Sequence, residues 1–189
     1  VVGTSLTGFD YSMLKTEFIA KLFPKGKLTA ITAEAGAGKS FLLIAASLCI
    51  TKGIPFLFED DEQLNTNGRV LLIETEGRIK TYVKRIIGLG GDIERNNYLT
   101  PSKHLDIMSF AREDDRQLIE NVIKLNKVDL VIVDSLACFN SVDENSAAVA
   151  PCLSWLCNLA QQYNCAVVFT QLVNKSETKE GKYTIKSIR

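Results

Sequence analysis

Residues 33–40 have the sequence Ala33-Glu34-Ala35-Gly36-Ala37-Gly38-Lys39-Ser40. It matches the phosphate-binding loop pattern G-x-x-x-x-G-K-[ST], with Ala33 in place of the first glycine. The apolar run at 27–33 predicts a buried strand before the loop, and 39–51 predicts a helix after it. A strand, this loop and then a helix form the context that the pattern requires. The segment therefore predicts an α/β fold with a phosphate site.

The residue types in this loop suit phosphate binding. Gly36 and Gly38 permit backbone conformations that aim successive N–H groups at phosphate oxygens, and the N-terminus of the next helix adds a partial positive charge. The motif predicts that Lys39 reaches the β- and γ-phosphates and that the Ser40 hydroxyl binds Mg²⁺. The alternative is a Gly/Ala turn that only begins a helix. Because motif and context agree, we favour nucleotide binding.

A second feature is the strand-like run Leu130-Val131-Ile132-Val133-Asp134-Ser135. A carboxylate that ends a buried apolar strand is costly unless it is paired or lies near a metal ion. Taken alone, Asp134 is also typical of a helix cap. With the phosphate loop upstream, we predict that Asp134 holds Mg²⁺ through water beside Ser40.

A third strand-like run, Val70-Leu71-Leu72-Ile73-Glu74-Thr75-Glu76-Gly77, ends in two carboxylates. Residues two apart in a strand lie on one face. One of the two glutamates is suited to polarise a water that attacks the γ-phosphate. The alternative is that both are solvated loop acids, and the spacing does not choose between Glu74 and Glu76.

Strands and helices alternate along the rest of the chain. Strands are predicted at 27–33, 69–74, 105–110, 128–133 and 165–170, and helices at 39–51, 78–87, 113–126 and 149–163. The apolar side of the 113–126 helix is predicted to consist of Leu118, Ile119, Val122, Ile123 and Leu125. Continuous apolar strands between helices predict a mostly parallel central sheet with helices on both faces.

The charge balance, the length and the apolar windows of the sequence argue against some classes of protein. The 189 residues contain 22 Lys and Arg and 22 Asp and Glu, so the net charge is zero. This balance argues against a polybasic, histone-like binder but is compatible with a local basic patch. The length predicts a single domain over 1–189, with 1–17 as an N-terminal flank. No apolar window reaches about 18 residues, so we expect no membrane-spanning helix.

The cysteines predict no special chemistry. The sequence has five, at 49, 138, 152, 157 and 165, with no Cys-x-x-Cys pair. We interpret them as reduced and mostly buried. A zinc site is a remote alternative, since His104 is the single histidine. The chain also begins without Met or a signal-peptide pattern, so we expect a cytoplasmic fragment.

The three motifs, in this order, resemble the RecA-like ATPases. Ile73-Glu74-Thr75-Glu76-Gly77 resembles the segment that carries the catalytic glutamate in archaeal and eukaryotic recombinases. The closer likeness is to the hexameric replicative helicases of the plasmid RepA kind. It covers nearly the whole chain from Phe18 onward, and its segments are 19–28, 53–57, 68–71, 131–136 with 143–145, and 167–171 with 174–175.

The resemblance implies residue roles. Glu76 would be the base that orients water, and Gln171 the γ-phosphate sensor. The RepA-like family often has His at the sensor position, whereas Gln is similar to the recombinases. Residues 185–189 resemble the start of the segment with the arginine finger, so Arg189 would act on a neighbour's γ-phosphate. Arg189 is the last residue, so we expect the C-terminal end to be truncated.

The expected cofactors are therefore ATP and Mg²⁺. The catalytic residues would be Glu76, Lys39 and Gln171, and the metal residues Ser40 and Asp134. The residues expected to contact ATP are Glu34, Ala35, Gly36, Ala37, Gly38, Lys39, Ser40, Phe41 and Arg189. The resemblance further implies a homo-oligomer, a hexamer with nucleotide at its interfaces, and a plasmid- or phage-borne origin.

Single-stranded DNA is the expected macromolecular partner, because loops after the Asp134 and Gln171 strands face DNA in RecA-like folds. Residues 173–189 carry five basic residues and two acids, and an ordinary solvated loop fits that charge equally well. The basic residues Arg78, Lys80, Lys84 and Arg85 predict a solvated helix face. The rival functions are an ATP-switched regulatory or assembly module of the RecA/KaiC type and a small-molecule kinase.

Overall fold

Strands and helices alternate along the described chain. The computed structural model describes residues 18–20, 22–57, 68–74, 78–93, 98–101, 110, 112–136 and 149–172. The strands are β1 (Phe18–Ala20), β2 (Phe23–Pro24), β3 (Leu28–Ala33), β4 (Val70–Glu74), β5 (Tyr98–Leu99), β6 (Leu130–Asp134) and β7 (Ala166–Leu172). The helices are α1 (Lys39–Lys52), α2 (Ile79–Gly88), α3 (Glu113–Asn126) and α4 (Val149–Tyr163).

The central sheet has five strands in the order β3-β7-β6-β4-β5. Each neighbouring pair is parallel, and β1 and β2 form a separate antiparallel pair. The parallel arrangement brings the carboxyl ends of β3, β4, β6 and β7 to one edge. In open α/β sheets this is the edge where ligands bind. The predicted mostly parallel α/β sheet is confirmed.

Helices cover both faces of the sheet because its strands are apolar on both sides. On β4, Val70 and Leu72 pack in a cluster with residues of α1 and α2. Leu71 and Ile73 pack in a second cluster with residues of α3 and α4. Successive side chains of a strand point to opposite faces, so an uninterrupted apolar run is what a two-sided core requires.

Local backbone chemistry sets the ends of the helices. α1 follows Gly38 and ends at Gly53, whose φ of 65° lies in the left-handed region. The Ile54 N–H then donates to the Cys49 carbonyl at 3.0 Å, which satisfies one of the last helical acceptors. Pro151 lies in the first turn of α4, where its missing N–H has no helical partner to lose.

Several expectations need correction. Leu125 does not belong to the buried side of α3, because its side chain is 81% exposed. It lies two residues, or about 200°, around the helix from the buried Ile123. Phe110 lies in a turn rather than a strand, and 105–109 fall outside the described residues. The short strands β1, β2 and β5 were not predicted.

Candidate nucleotide site

The phosphate loop connects β3 to α1 at the carboxyl edge of the sheet. Gly36 and Gly38 have φ angles of 80° and 88°. A Cβ added at either position would have no atom within 4 Å, so the backbone conformation requires glycine and crowding does not. The Leu42 N–H donates to the Gly38 carbonyl at 3.0 Å, which starts the helix. The N–H groups of the first turn lack intrahelical acceptors and suit an anion.

Lys39 lies across the base of this loop. Its Nζ donates to the Ala33 carbonyl at 2.7 Å and to the Glu34 carbonyl at 2.9 Å. Ala33 ends β3 and Glu34 follows it, so the two hydrogen bonds hold the ammonium against the backbone where the strand meets the loop. Ala33, at the first glycine position of the pattern, contributes through its carbonyl. Lys39 also lines the cavity in front of the loop.

Asp134 accepts hydrogen bonds from three hydroxyl groups of three other elements. Ser40 Oγ, on α1, donates to Asp134 Oδ2 at 2.6 Å. The Tyr82 hydroxyl, on α2, donates to the same oxygen. Thr170 Oγ1, on β7, donates to Asp134 Oδ1. The predicted metal residues Ser40 and Asp134 are therefore brought into direct contact.

These oxygens fit Mg²⁺. The ion takes hard oxygen ligands, uses one or two carboxylates, and keeps several waters or phosphate oxygens. One serine hydroxyl beside one carboxylate at a phosphate loop matches that donor set. Among the described residues, no group of three His, Cys, Asp or Glu side chains forms a metal cluster, so the zinc alternative has no support there.

A cavity of about 380 Å³ opens in front of the loop. Its walls come from the loop, from the carboxyl ends of three strands, and from one side of α2. The lining residues are Ala35, Gly36, Ala37, Gly38, Lys39, Ser40, Phe41, Glu74, Arg78, Thr81, Tyr82, Arg85, Asp134, Ser135, Thr170 and Leu172. The cavity therefore joins most of the residues predicted to contact ATP, but Glu34 is not in its lining.

One wall of this cavity carries positive charge. Arg78, the residue before α2, and Arg85, seven residues later on α2, line it. The Arg85 guanidinium carbon lies 4.5 Å from the centre of the Phe41 ring, a cation–π contact that fixes both side chains at the rim. The predicted solvated basic face holds for Arg78, Lys80 and Lys84, which are exposed, whereas Arg85 is half-buried. Both arginines also line the cavity.

The two glutamates after β4 differ in what the structure describes. Glu74 is 3% exposed, lines the cavity, and its Oε2 accepts the Arg78 N–H at 2.5 Å. It also pairs in register with Asp134 on β6. Glu76 lies outside the described residues, so its role as the base stays a prediction, and Glu74 is a second carboxylate at the cavity.

Gln171 lies on the opposite face of the sheet from its neighbours Thr170 and Leu172, because successive residues of β7 alternate between the two faces. Val168 packs on the α1 and α2 side of the sheet, and Phe169 packs on the opposite side. Thr170 and Leu172 therefore share the side of Val168 and line the cavity, whereas the half-buried Gln171 is not in the lining. The sensor role of Gln171 stays a prediction. Arg189 lies outside the described residues, and its role also stays a prediction.

Sequence reasoning missed Tyr82 and Thr170, which both contact Asp134. Burial, followed by the negative charge of Asp134, raises the pKa of Tyr82 well above its ordinary value. The phenol therefore stays protonated and is a hydrogen-bond donor. For Thr170, the signal available in the sequence was the two-residue alternation of side chains along β7. Nothing in the local pattern of α2 marks Tyr82 as different from an apolar core residue.

A family model described as an AAA domain matches residues 15–178. The chain belongs to the AAA domain family. No curated protein sequence matches it. Among solved structures, this AAA domain is similar to one titled "Crystal structure of the RadB recombinase", with a TM-score of 0.54 and 21% identity over 85% of this chain and 68% of that chain. At this level of identity the likeness shows the fold alone, which is RecA-like.

Two further expectations concern the cysteines and the membrane-spanning potential of the AAA domain. Cys152 and Cys165 are buried, Cys49 and Cys157 are partly buried, and all four are free thiols. None of the helices in the described part of the chain combines the length and apolar character needed to cross a membrane. The resemblance to RepA-like helicases in particular goes beyond the family match and is taken up below.

Proposed function

We propose that this domain hydrolyses ATP with Mg²⁺ and couples hydrolysis to single-stranded DNA, as the motor of a RepA-like replicative helicase. The observation that supports it most is the 2.6 Å hydrogen bond between Ser40 Oγ and Asp134 Oδ2 beside the phosphate loop. It brings a hydroxyl and a carboxylate suited to Mg²⁺ next to the lysine and N–H groups suited to phosphate.

Each side chain then has a role in hydrolysis. The loop and Lys39 would hold the phosphates, and Ser40 and Asp134 would hold Mg²⁺, which would supply positive charge to the phosphate oxygens. Glu76 takes a proton from water as the water oxygen bonds to the γ-phosphorus. The bond to the bridging oxygen breaks and leaves ADP and phosphate. Gln171 senses the γ-phosphate.

The proposed assembly is a homo-oligomer, a hexamer in the helicase likeness, with nucleotide at the subunit interfaces. Arg189 would reach a neighbour's γ-phosphate from there. The DNA contact is assigned to the segments after β6 and β7, of which 173–189 carries five basic residues and two acids. Salt should weaken such a contact, because it depends on phosphate charge.

The test is the steady-state rate of MgATP hydrolysis with and without single-stranded DNA, with Lys39→Ala as the blank. Stimulation by DNA that is lost at high salt supports the motor. Turnover that DNA leaves unchanged, in a protein that assembles, favours an ATP-switched regulatory module. Absence of nucleotide binding by the unmodified protein would overturn the proposal.

The base is tested by comparing two matched variants. Glu76→Gln keeps the size of the side chain and removes its charge, so nucleotide binding should persist while hydrolysis stops. Glu74→Gln makes the same change at the carboxylate that lines the cavity. If Glu76→Gln hydrolyses ATP at the unmodified rate while Glu74→Gln does not, the base is Glu74.

A further inference from the structure

Tyr82 is a buried side chain that the proposed hydrolysis does not use. It lies on α2, is 3% exposed, and lines the cavity. Its hydroxyl donates to Asp134 Oδ2, the oxygen that also accepts from Ser40 Oγ. A tyrosine on the helix after β4 therefore shares one carboxylate oxygen with the serine of the phosphate loop.

The direction of this hydrogen bond is fixed by chemistry. An ionised carboxylate has no proton to give and only accepts. The Tyr82 hydroxyl carries a proton and lies on Asp134 Oδ2, so it is the donor of this hydrogen bond. Hydrogen bonds to an ionised acceptor are shorter and stronger than those between neutral groups. The contact therefore holds the carboxylate in one orientation.

Without such hydrogen bonds, the carboxylate of an aspartate side chain is not held in one orientation. Rotation of its carboxylate about the last side-chain bond is soft and roughly two-fold. In this structure Tyr82 holds Oδ2 while Thr170 Oγ1 donates to Oδ1, the other oxygen of the same carboxylate. With both oxygens held, the carboxylate plane cannot turn without breaking a hydrogen bond, and Oδ2 stays directed at Ser40.

The same contact ties α2 to the metal residues. Arg78, the residue before α2, and Arg85, on α2, both line the cavity, and Tyr82 lies between them in the chain. The Arg85 contact with Phe41, 4.5 Å from the ring centre, connects α2 to α1 at the rim. Tyr82 makes the corresponding connection at the floor of the cavity, through Asp134.

We propose that Tyr82 is a positioning residue: its hydroxyl, together with that of Thr170, orients the Asp134 carboxylate for Mg²⁺ at Ser40. The inference rests on the proposed Mg²⁺-nucleotide site and adds a residue to it. Groups that hydrogen-bond to a metal ligand fix its orientation, and their loss lowers metal affinity.

The experiment measures binding of a fluorescent ATP analogue as Mg²⁺ is titrated from EDTA upward. In Tyr82→Phe we expect the midpoint Mg²⁺ concentration for analogue binding to rise about 10-fold, which is the lower end of the loss expected when a metal ligand loses such a hydrogen bond. The affinity for the analogue in EDTA should stay unchanged. Phe keeps the ring and its apolar contacts, so a change confined to the Mg²⁺ midpoint reports the hydroxyl.

The matched control is Tyr98→Phe. The Tyr98 hydroxyl lies 3.0 Å from Thr51 Oγ1 and is absent from the cavity lining, so its loss should leave the midpoint unchanged. An equal loss of affinity with and without Mg²⁺ in Tyr82→Phe would mean a general structural role and overturn the inference. An unchanged midpoint would overturn it too.

A second variant keeps the test independent of how well Tyr82→Phe folds. Thr170→Val removes the hydroxyl on the other carboxylate oxygen and keeps the shape of the side chain, so it should also raise the Mg²⁺ midpoint. An unchanged midpoint in Thr170→Val contradicts the two-sided orientation. Nucleotide binding by the unmodified protein over the Lys39→Ala blank separates these outcomes from failure of the proposed function itself.

Discussion

Ser40 Oγ and Asp134 Oδ2 lie 2.6 Å apart although 94 residues separate them in the chain. The sheet order explains the contact. β3, which leads into the phosphate loop, and β6, which ends at Asp134, are separated by β7 alone. Their carboxyl ends lie at one edge because both pair with β7 in parallel. A parallel sheet thus converts two distant strand ends into one oxygen-lined site.

This relationship predicts the effect of neutralising Asp134. Asp134→Asn keeps the side-chain shape but removes the negative charge that attracts Mg²⁺. Because hydrogen bonds to charged groups contribute roughly 1.5–3 kcal/mol, affinity for MgADP should fall by about 10- to 100-fold, as measured by titration calorimetry. Affinity for ADP in EDTA should change much less.

The control for this variant lies at the other end of the same strand. Asp129 precedes β6, where its Oδ2 accepts the Arg69 N–H at 3.0 Å and its Oδ1 lies 3.8 Å from Lys25 Nζ. Asp129→Asn should leave Mg²⁺-dependent affinity intact. If both variants lose MgADP affinity equally, the effect is one of general stability and the metal role of Asp134 is wrong.

Gln171→Ala separates sensing from binding. The side chain of Gln171 is absent from the cavity lining, so nucleotide affinity should stay within about twofold, the size expected for surface changes of up to ~0.5 kcal/mol. If Gln171 senses the γ-phosphate, kcat should fall while the Kd for MgATP is kept. A fall in affinity with an unchanged kcat would contradict the sensor role. The exposed Gln162→Ala, on α4, is the control for loss of an amide.

The phosphate loop and the strands that precede it and Asp134 were predictable because their signals are local. The prediction that β3 is buried was wrong: its residues are half-buried or exposed, because β3 lies at the end of the described strand order. The run 27–33, the two glycines of the loop and the apolar residues before Asp134 each determine their own conformation. The prediction that Leu125 lies on the buried side of α3 was wrong. It was based on the apolar character of the residue and ignored its angular position around the helix. Its 81% exposure follows from helical geometry once Ile119 and Ile123 are placed inside.

Only part of the group of side-chain oxygens around Asp134 could be predicted from the sequence. Ser40 and Asp134 belong to recognisable motifs, whereas Tyr82 and Thr170 reach Asp134 through the sheet order. β7 lies between β3 and β6, although it is the last of the described strands. A local pattern contains no information about which strand lies beside which. The contact of Thr170 with Asp134 therefore needed the three-dimensional structure.

Gly91 is predicted to be required for packing after α2. A Cβ at this position would lie 2.6 Å from Leu48 Cδ2 and 2.9 Å from the Ile86 carbonyl oxygen, and would also meet Ile86 Cγ2. Because Leu48 and Ile86 belong to the core, Gly91→Ala should lower the free energy of unfolding by about 1–3 kcal/mol. Urea unfolding followed by Trp155 fluorescence measures it, since Trp155 is the single tryptophan.

The matched control for this variant is Gly88→Ala at the end of α2. A Cβ there would have no atom within 4 Å, and alanine is favoured over glycine in a helix by roughly 0.5–1 kcal/mol. Gly88→Ala should therefore be neutral or slightly stabilising. Equal destabilisation by the two variants would show that crowding around Gly91 is not the cause.

Cys165 predicts how stability depends on alkaline pH. Burial, the main cause, raises the pKa of the Cys165 thiol from 9.0 to about 12, and the nearby Asp129 adds to the increase. Well below pH 9 the thiol is protonated in both the folded and the unfolded chain, so it contributes no slope there. Between these two pKa values the unfolded thiol ionises and the folded one does not. The free energy of unfolding must therefore fall as pH rises.

Cys165→Ala isolates this contribution from the other buried groups that titrate at high pH. Removing the thiol should reduce the pH slope of the unfolding free energy above pH 9 by up to about 1.4 kcal/mol per pH unit, the value for one proton. Loss of packing lowers stability equally at every pH, so the slope and not the offset is diagnostic. Cys157→Ala, on α4, removes a partly buried thiol as the control. An unchanged slope in Cys165→Ala would mean that this thiol ionises as readily in the folded protein as in the unfolded chain.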